Sequence, residues 1–217
     1  MSFETARYLS KATGRAKSDV ANKLVSMFLH DLSRKVSALV GVSITDSSYT
    51  DAVQSTFGPR CAYCERDLER DRVAVEHLDG MNRYRGGLHV AGNVVVSCKQ
   101  CNNEKRRDDS HKVLRLAATG WESFLSHDST RCDAGCKTCE YWWTHWPDEG
   151  ERQNKLTAAL KRIRTFRSTF PTSIAFSERA RTELPVLLER LYRDCQNFAA
   201  TEIAQAIQAA LGVLSPR

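Results

Sequence analysis

Arg60-Cys61-Ala-Tyr-Cys64 and Val94-Val-Val-Ser-Cys98-Lys-Gln-Cys101-Asn102-Asn103-Glu104-Lys105 bracket the part of the chain that decides its fold, with Val73-Ala-Val-Glu76-His77-Leu-Asp79 and Arg83-Tyr-Arg85-Gly86-Gly87 between them. Two CxxC pairs offer four thiolates in the pattern that closes a tetrahedral site, so Cys61, Cys64, Cys98 and Cys101 are expected to ligate one structural Zn2+. The apolar runs Val73 to Val75 and Val94 to Val96, with a Gly-Gly turn between them, read as two short strands, and the run that follows Cys98 as a helix. So few elements enclose little core, and a metal would supply folding free energy that apolar burial cannot.

Outward from this block the periodicity turns helical. Val20, Leu24, Phe28, Leu32, Val36 and Leu39 recur at helical spacing between Ser18 and Val40, and Gly41 supplies a stop. A shorter helix is expected from Thr50 to Thr56, closed by Gly58 and Pro59. Helical patterns resume from His111 to Phe124 and from Glu151 to Phe170, where Leu156, Leu160, Ile163 and Phe170 share a side. A final helical pair covers Ser177 to Leu214, with a kink or break expected near Pro185. The expected fold class is therefore α+β and mostly helical, a central two-strand-and-helix core with a four-cysteine zinc site flanked by N- and C-terminal helices. Its regions are 1–58 (helical), 59–112 (the zinc core), 113–147 (a helix and a Cys- and Trp-rich knuckle) and 148–217 (helical), with Pro147, Asp148 and Gly150 marking the last boundary.

The chain has 217 residues, 41% of them hydrophobic, enough for a real core, and a formal net charge of +6 that permits a phosphate-bearing partner without proving one. No stretch approaches the ~20 apolar residues of a membrane span, and the start lacks the apolar segment of a secretory signal. A cytoplasmic protein is expected, in which the eight cysteines stay reduced and close pairs read as metal ligands before disulfides.

A second cluster, Cys132-Asp-Ala-Gly-Cys136-Lys-Thr-Cys139, has the CxxxCxxC spacing of the iron-sulfur site in radical enzymes that use S-adenosylmethionine. Those need most of a barrel after the motif, whereas only 78 residues follow Cys139 and they read as helices. Two readings stay open: unliganded buried thiols, or a second structural zinc on Cys132, Cys136 and Cys139 with His145 or His127 as fourth ligand. Tyr141, Trp142, Trp143 and Trp146 beside it read as a miniature core rather than a base-stacking platform. Cys195, alone in a helical segment, reads as a small buried hydrophobe.

The middle block resembles the HNH, or ββα-metal, endonuclease family in its version with two CxxC knuckles. The likeness covers about fifty residues, under a quarter of the chain. It rests on order: an acid-His pair ending a strand, a Gly-Gly turn, Asn93 ahead of a second strand, then CxxC followed at once by Asn102 and later by Lys105. The resemblance implies that His77 is the general base taking a proton from the attacking water, and that Glu76 and Asn102 hold a catalytic Mg2+ or Mn2+ through oxygen. It implies that Asn93 orients His77 by bonding its ring or nearby backbone. The chain departs from the pattern in having Glu rather than Asp before the His and Asn rather than His as the third letter, and both suit a hard, oxygen-ligated cation. Asp79 and Asn103 are the alternative oxygen ligands.

The substrate implied by the family is DNA, expected double-stranded, and compact HNH proteins of this kind point to bacterial restriction or phage defence. Arg83, Arg85 and Lys105 are candidate phosphate contacts. So are Lys161, Arg164 and Arg167, which a helix would present on one face of a segment rich in cations. The helical flanks read as orienting substrate, forming a homodimer or docking onto a partner protein, no membrane is expected, and one alternative is a nuclease subunit active only with such a partner. The contrasting reading is a zinc-dependent DNA-binding module without catalysis, which needs neither the Glu-His pair nor Asn93.

Overall fold

A computed structural model describes residues 5–69, 72–108, 120–127, 132 and 134–211. In chain order the elements are α1 (Thr5–Val40), α2 (Ser47–Phe57), β1 (Val73–His77), β2 (Val94–Cys98), α3 (Lys99–Asp108), α4 (Gly120–Leu125), α5 (Lys137–His145), α6 (Glu149–Ser168), α7 (Pro171–Phe198), a π-helical turn (Ala199–Ile203) and α8 (Ala204–Leu211). The protein is mostly helical around one two-stranded antiparallel sheet. The helical pattern expected from His111 lies outside the described residues up to 119, and its end forms α4.

Helix boundaries follow local chemistry. Gly41 ends α1 at φ +75°, where its N–H returns to the Ser37 carbonyl at 2.9 Å, a left-handed turn that a Cβ would disfavour. Asp148 caps α6, its carboxylate accepting the Glu151 N–H at 2.7 Å. Two boundaries depart from expectation, the first being that α1 begins at Thr5 rather than near Ser18. In the second, Pro185 lies inside an unbroken α7, and the irregularity comes later, at Ala199–Ile203. Ala180, Leu188 and Tyr192 are buried with Ala21, Val25, Leu29 and Val36 of α1 on both sides of the proline, and this packing holds the helical course that the missing N–H weakens.

β1 and β2 pair in the register Val73–Cys98, Val75–Val96 and His77–Val94. The start of β1 therefore lies beside the second CxxC, and its end, His77, lies beside Asn93. β1 inverts the usual alternation: Val73 and Val75 are 55% and 62% exposed, whereas Glu76 is 4% exposed. Burying a carboxylate while leaving two valines in water opposes the hydrophobic effect, a conflict that marks functional positions.

Two cores support this sheet. One gathers the four-cysteine knuckle, Tyr49, Phe57, Trp121, Phe124, Tyr141, Trp142, Trp146 and the inner side of α6. Trp142 stacks on Trp146 with ring planes 6° apart and donates its indole N–H to the Phe124 carbonyl at 2.8 Å, so these tryptophans fill the interior; Trp143 alone of the cluster is 37% exposed. The other core lies between α1 and α7 and takes in Leu88 and Val90 from the loop joining the strands, with Cys195 partly buried against it. No helix among the described residues is long and apolar enough to cross a membrane.

Candidate metal centres and active-site cleft

The four cysteines of the double CxxC converge. Cys61, Cys64, Cys98 and Cys101 are all buried, with every Sγ within 4.8 Å of the others. The Cys64–Cys98 Sγ distance is 3.8 Å, matching the ~3.8 Å edge of a tetrahedron whose metal-sulfur bonds are about 2.3 Å. The first knuckle is shaped by a bond from the Glu65 N–H to the Cys61 carbonyl at 3.0 Å, with Glu65 at φ +60°. It docks on the sheet through the Ala62 N–H, which reaches the Val96 carbonyl at 3.1 Å. In the second, Cys98 ends β2, Cys101 enters the first turn of α3, and the Cys101 N–H points at the Cys98 Sγ, 3.4 Å away. Interaction with Cys101 first, then with Cys61 and Cys64, holds Cys98 far below the usual thiol range, while burial pushes Cys101 far above it. A cage that already favours a thiolate suits a zinc ion.

A second cage forms from Cys132, Cys136, Cys139 and His127. The His127 Nδ1 lies 3.4, 3.3 and 3.7 Å from the three sulfurs, close to the ~3.5 Å expected between nitrogen and sulfur on one tetrahedral zinc. Of the two histidines considered, His127 is the one in this group. His145 instead lies among aromatic rings, 4.6 Å from Trp146 and 5.9 Å from Tyr141 by centroid, because α5 carries it one turn past Tyr141 into the aromatic core. Both cages can hold a metal such as zinc.

Glu76, His77, Asn102 and Lys105 meet at a cleft of about 580 Å³. Lys105 follows Asn102 by three residues on α3, so both sit on one helix face, and that face meets the end of β1. Asn102 Nδ2 donates to Glu76 Oε2 at 2.7 Å, while Lys105 Nζ reaches Glu76 Oε1 at 2.5 Å and the His77 carbonyl at 2.8 Å. Tyr63 from the first knuckle donates to Glu76 Oε1 at 3.2 Å. Lys105 is 3% exposed, so it is not a surface contact for phosphate; its ammonium compensates the buried carboxylate. Exposed Arg106, next on α3, lines the same cleft and was not singled out from sequence, where it is one cation in a run of several.

His77 is half-buried at the strand end. Burial first, then the charges of His89, Lys105 and His30, pushes its pKa down to about 3, so its imidazole is neutral near pH 7. Its Nε2 lies 2.7 Å from Nδ1 of His89, a partner that no sequence pattern flagged.

Asn93 is fully buried and acts on backbone: its Oδ1 accepts the Asp79 N–H at 2.7 Å, and its Nδ2 donates to the carbonyls of Leu88 at 2.7 Å and Asp79 at 3.2 Å. It ties both ends of the 78–93 loop to the sheet and so fixes the chain just after His77. The Gly-Gly turn belongs to the same closure, since a Cβ on Gly87 would lie 2.0 Å from the Asp79 carbonyl oxygen. Asp79, an alternative cation ligand by sequence, has no exposure and is consumed by Arg167 and Arg181 at 2.9 and 3.2 Å. Asn103 is exposed on α3 and does not line the cleft.

The expected basic face of α6 does not form as a set. Arg167 is 7% exposed and turned inward to Asp79, and Arg164 pairs with Glu122 at 3.0 Å. Lys161 is exposed. Lys155 and Arg162 both engage Glu65. The local excess of cations in α6 is thus met by acids distant in sequence, which a count within the segment could not reveal. Arg83 bonds Glu189 at 3.0 Å and Asn22 at 2.8 Å and lies 3.8 Å over the Tyr192 ring, and Arg85 is buried against Gly120.

No family model matches the chain, and comparison with curated proteins and with solved structures returns no match.

Proposed function

We propose that the protein is a metal-dependent endonuclease of the HNH type that hydrolyses phosphodiester bonds in DNA, with sulfur-ligated zinc holding the fold and an oxygen-ligated cation serving the reaction. The observation that carries this reading is the meeting of Glu76, His77 and Asn102 at one cleft, from the end of β1 and the first turn of α3, the helix that also carries Cys101 of the four-cysteine cage.

The donor set suits a hard cation. With the Asn102 amide turned over, its Oδ1 would face Glu76 Oε2, and the two oxygens would hold such a cation. When bound there, a hard cation would supply charge stabilisation to the phosphate and the leaving 3′ oxygen. Glu76 then offers Oε2, since Oε1 is occupied by Lys105 and Tyr63. His77, neutral near pH 7, accepts a proton from water as the water oxygen bonds phosphorus and the bond from phosphorus to O3′ breaks. The phosphate anion in the cleft raises the basicity of His77 as it arrives, moving the imidazole toward the range where a base works best. Lys105 and Asn93 fix the backbone at the His77 carbonyl and at Asp79 just beyond it.

A second reading is favoured by the basic residues. Arg83, Arg85, Lys105 and Arg167 are spent inside the chain, so a partner protein or second copy could supply much of the grip on DNA, making this the nuclease subunit of a defence assembly. The test is cleavage of plasmid DNA by the isolated chain with Mg2+ or Mn2+, beside His77→Ala. Metal-dependent cutting lost in the variant, with an unchanged melting curve, supports the enzyme. Cutting that survives the substitution overturns it, and salt-sensitive binding without cutting points to the non-catalytic zinc module.

A further inference from the structure

Outside the motif that suggested a nuclease, the cleft's histidine has a companion. His77 lines the cleft, whereas His89 lines a separate cavity of about 840 Å³ together with His30, Ser33 and Arg34 of α1. The two rings meet between these spaces, centroids 5.0 Å apart and Nε2 to Nδ1 at 2.7 Å. His89 is itself fastened to α1. Its backbone N–H donates to the buried Ser33 Oγ at 2.8 Å, Ser33 Oγ donates to the Leu29 carbonyl at 2.5 Å, and the His30 ring stands edge-on to it at 5.3 Å.

A shared metal is a poor account of this pair. Two imidazole nitrogens on tetrahedral zinc stand about 3.3 Å apart, longer than the 2.7 Å seen, and neither ring belongs to a group of three or more metal-ligating side chains among the described residues. One proton shared between two neutral rings fits both the distance and the burial.

We propose that His89 is a positioning residue for His77: its Nδ1 accepts the Nε2–H of His77, fixing the tautomer in which His77 Nδ1 carries the lone pair that takes the proton from water. This rests on the nuclease reading. An imidazole can accept a proton only at the nitrogen without one, so whichever ring nitrogen is engaged as a donor decides which one can act as base. His89 thereby makes α1, which lies outside the strand-strand-helix core, part of the catalytic apparatus. The chain of contacts runs from Leu29 through Ser33 and His89 to His77, and a tautomer set from outside the core gives the long N-terminal helix a role that its amphipathic pattern does not disclose.

The experiment pairs kinetics with nitrogen NMR on full-length, zinc-loaded protein. His89→Leu keeps the volume and removes the acceptor, and His89→Asn returns an acceptor at the δ position. In wild type, long-range proton-nitrogen correlation shows His77 as the Nε2–H tautomer; in His89→Leu the signal changes to a mixture of tautomers, and in His89→Asn the Nε2–H form returns. Cleavage by His89→Leu is expected to fall in kcat about 10- to 100-fold, as for loss of a group orienting a site residue, with KM within about twofold and recovery in His89→Asn. An Nδ1–H tautomer in wild type, or a His89→Leu enzyme with wild-type kcat, overturns the proposal. A wild type that locks the Nε2–H form yet cuts no nucleic acid overturns the nuclease reading, and the catalytic role of His89 with it.

Discussion

Arg167 places its Nη2 2.9 Å from Oδ2 of Asp79, a carboxylate with no exposure, while Arg181 takes the other oxygen at 3.2 Å. The pair anchors α6 and α7 to the loop that follows His77, through a residue that reads in sequence as a DNA contact. Asp79→Ala leaves Arg167 buried without its acid, and a loss of about 3–5 kcal/mol is expected. Arg167→Met costs less, since Arg181 stays on the carboxylate. Denaturant unfolding checks the order, and equal stability of the two variants would contradict it.

The two sulfur cages predict two zinc ions per chain by metal analysis. Cys101→Ser removes one and collapses the fold, because its cage joins the first knuckle to β2 and α3 and structural zinc is worth about 10–16 kcal/mol. His127→Ala lowers the content toward one with the central core intact, whereas His145→Ala leaves two. Loss of zinc in His145→Ala and not in His127→Ala would reverse the assignment made by the distances from Nδ1.

Lys105 neutralises Glu76 from within the site. Lys105→Met leaves a buried carboxylate without its cation, so its melting temperature falls in metal-free buffer with zinc retained, and millimolar Mg2+ restores more of it than the same Mg2+ adds to wild type. Equal responses to Mg2+ would mean that Glu76 does not bind the ion.

Burial, followed by the charge of His30, holds His89 below the ordinary histidine range, as burial and His89 hold His77 at about 3. A depressed folded-state value contributes stability that is full above the unfolded value near 6.5 and is lost as pH falls toward the folded one. Thermal melts from pH 7.5 to pH 5 should therefore decline. The decline should be shallower in His89→Asn, which removes one of the two groups, and an unchanged slope would show that His89 takes no part.

Exposed Arg106 on the cleft wall is the cation best placed to meet phosphate. Arg106→Ala should weaken binding of duplex DNA several-fold and lower its salt dependence by about one unit of log–log slope, while Lys161→Ala on α6, outside the cleft lining, changes neither. Fluorescence anisotropy over a salt series decides between them.

Much of this molecule is written locally. Spacing of two residues between cysteines limits where a metal can sit, so the first zinc cage follows from Cys61, Cys64, Cys98 and Cys101 alone. Strand lengths, the start of α3 and the stop at Gly41 likewise follow from short-range backbone preference. The meeting of Glu76, His77 and Asn102 was legible through the resemblance, because β1 and β2 pair with each other and β2 runs directly into α3.

Long-range partners were decided only by tertiary structure. His127 rather than His145 joins the second cage because α5 turns His145 into the aromatic core. Arg167 goes inward because Asp79, far away in sequence, is buried beneath α6. His89 meets His77 because Ser33 on α1 clamps the intervening loop. Charge and hydrogen bonding act through space over a few ångströms, and nothing in the order of residues along a chain records which side chains will be that near.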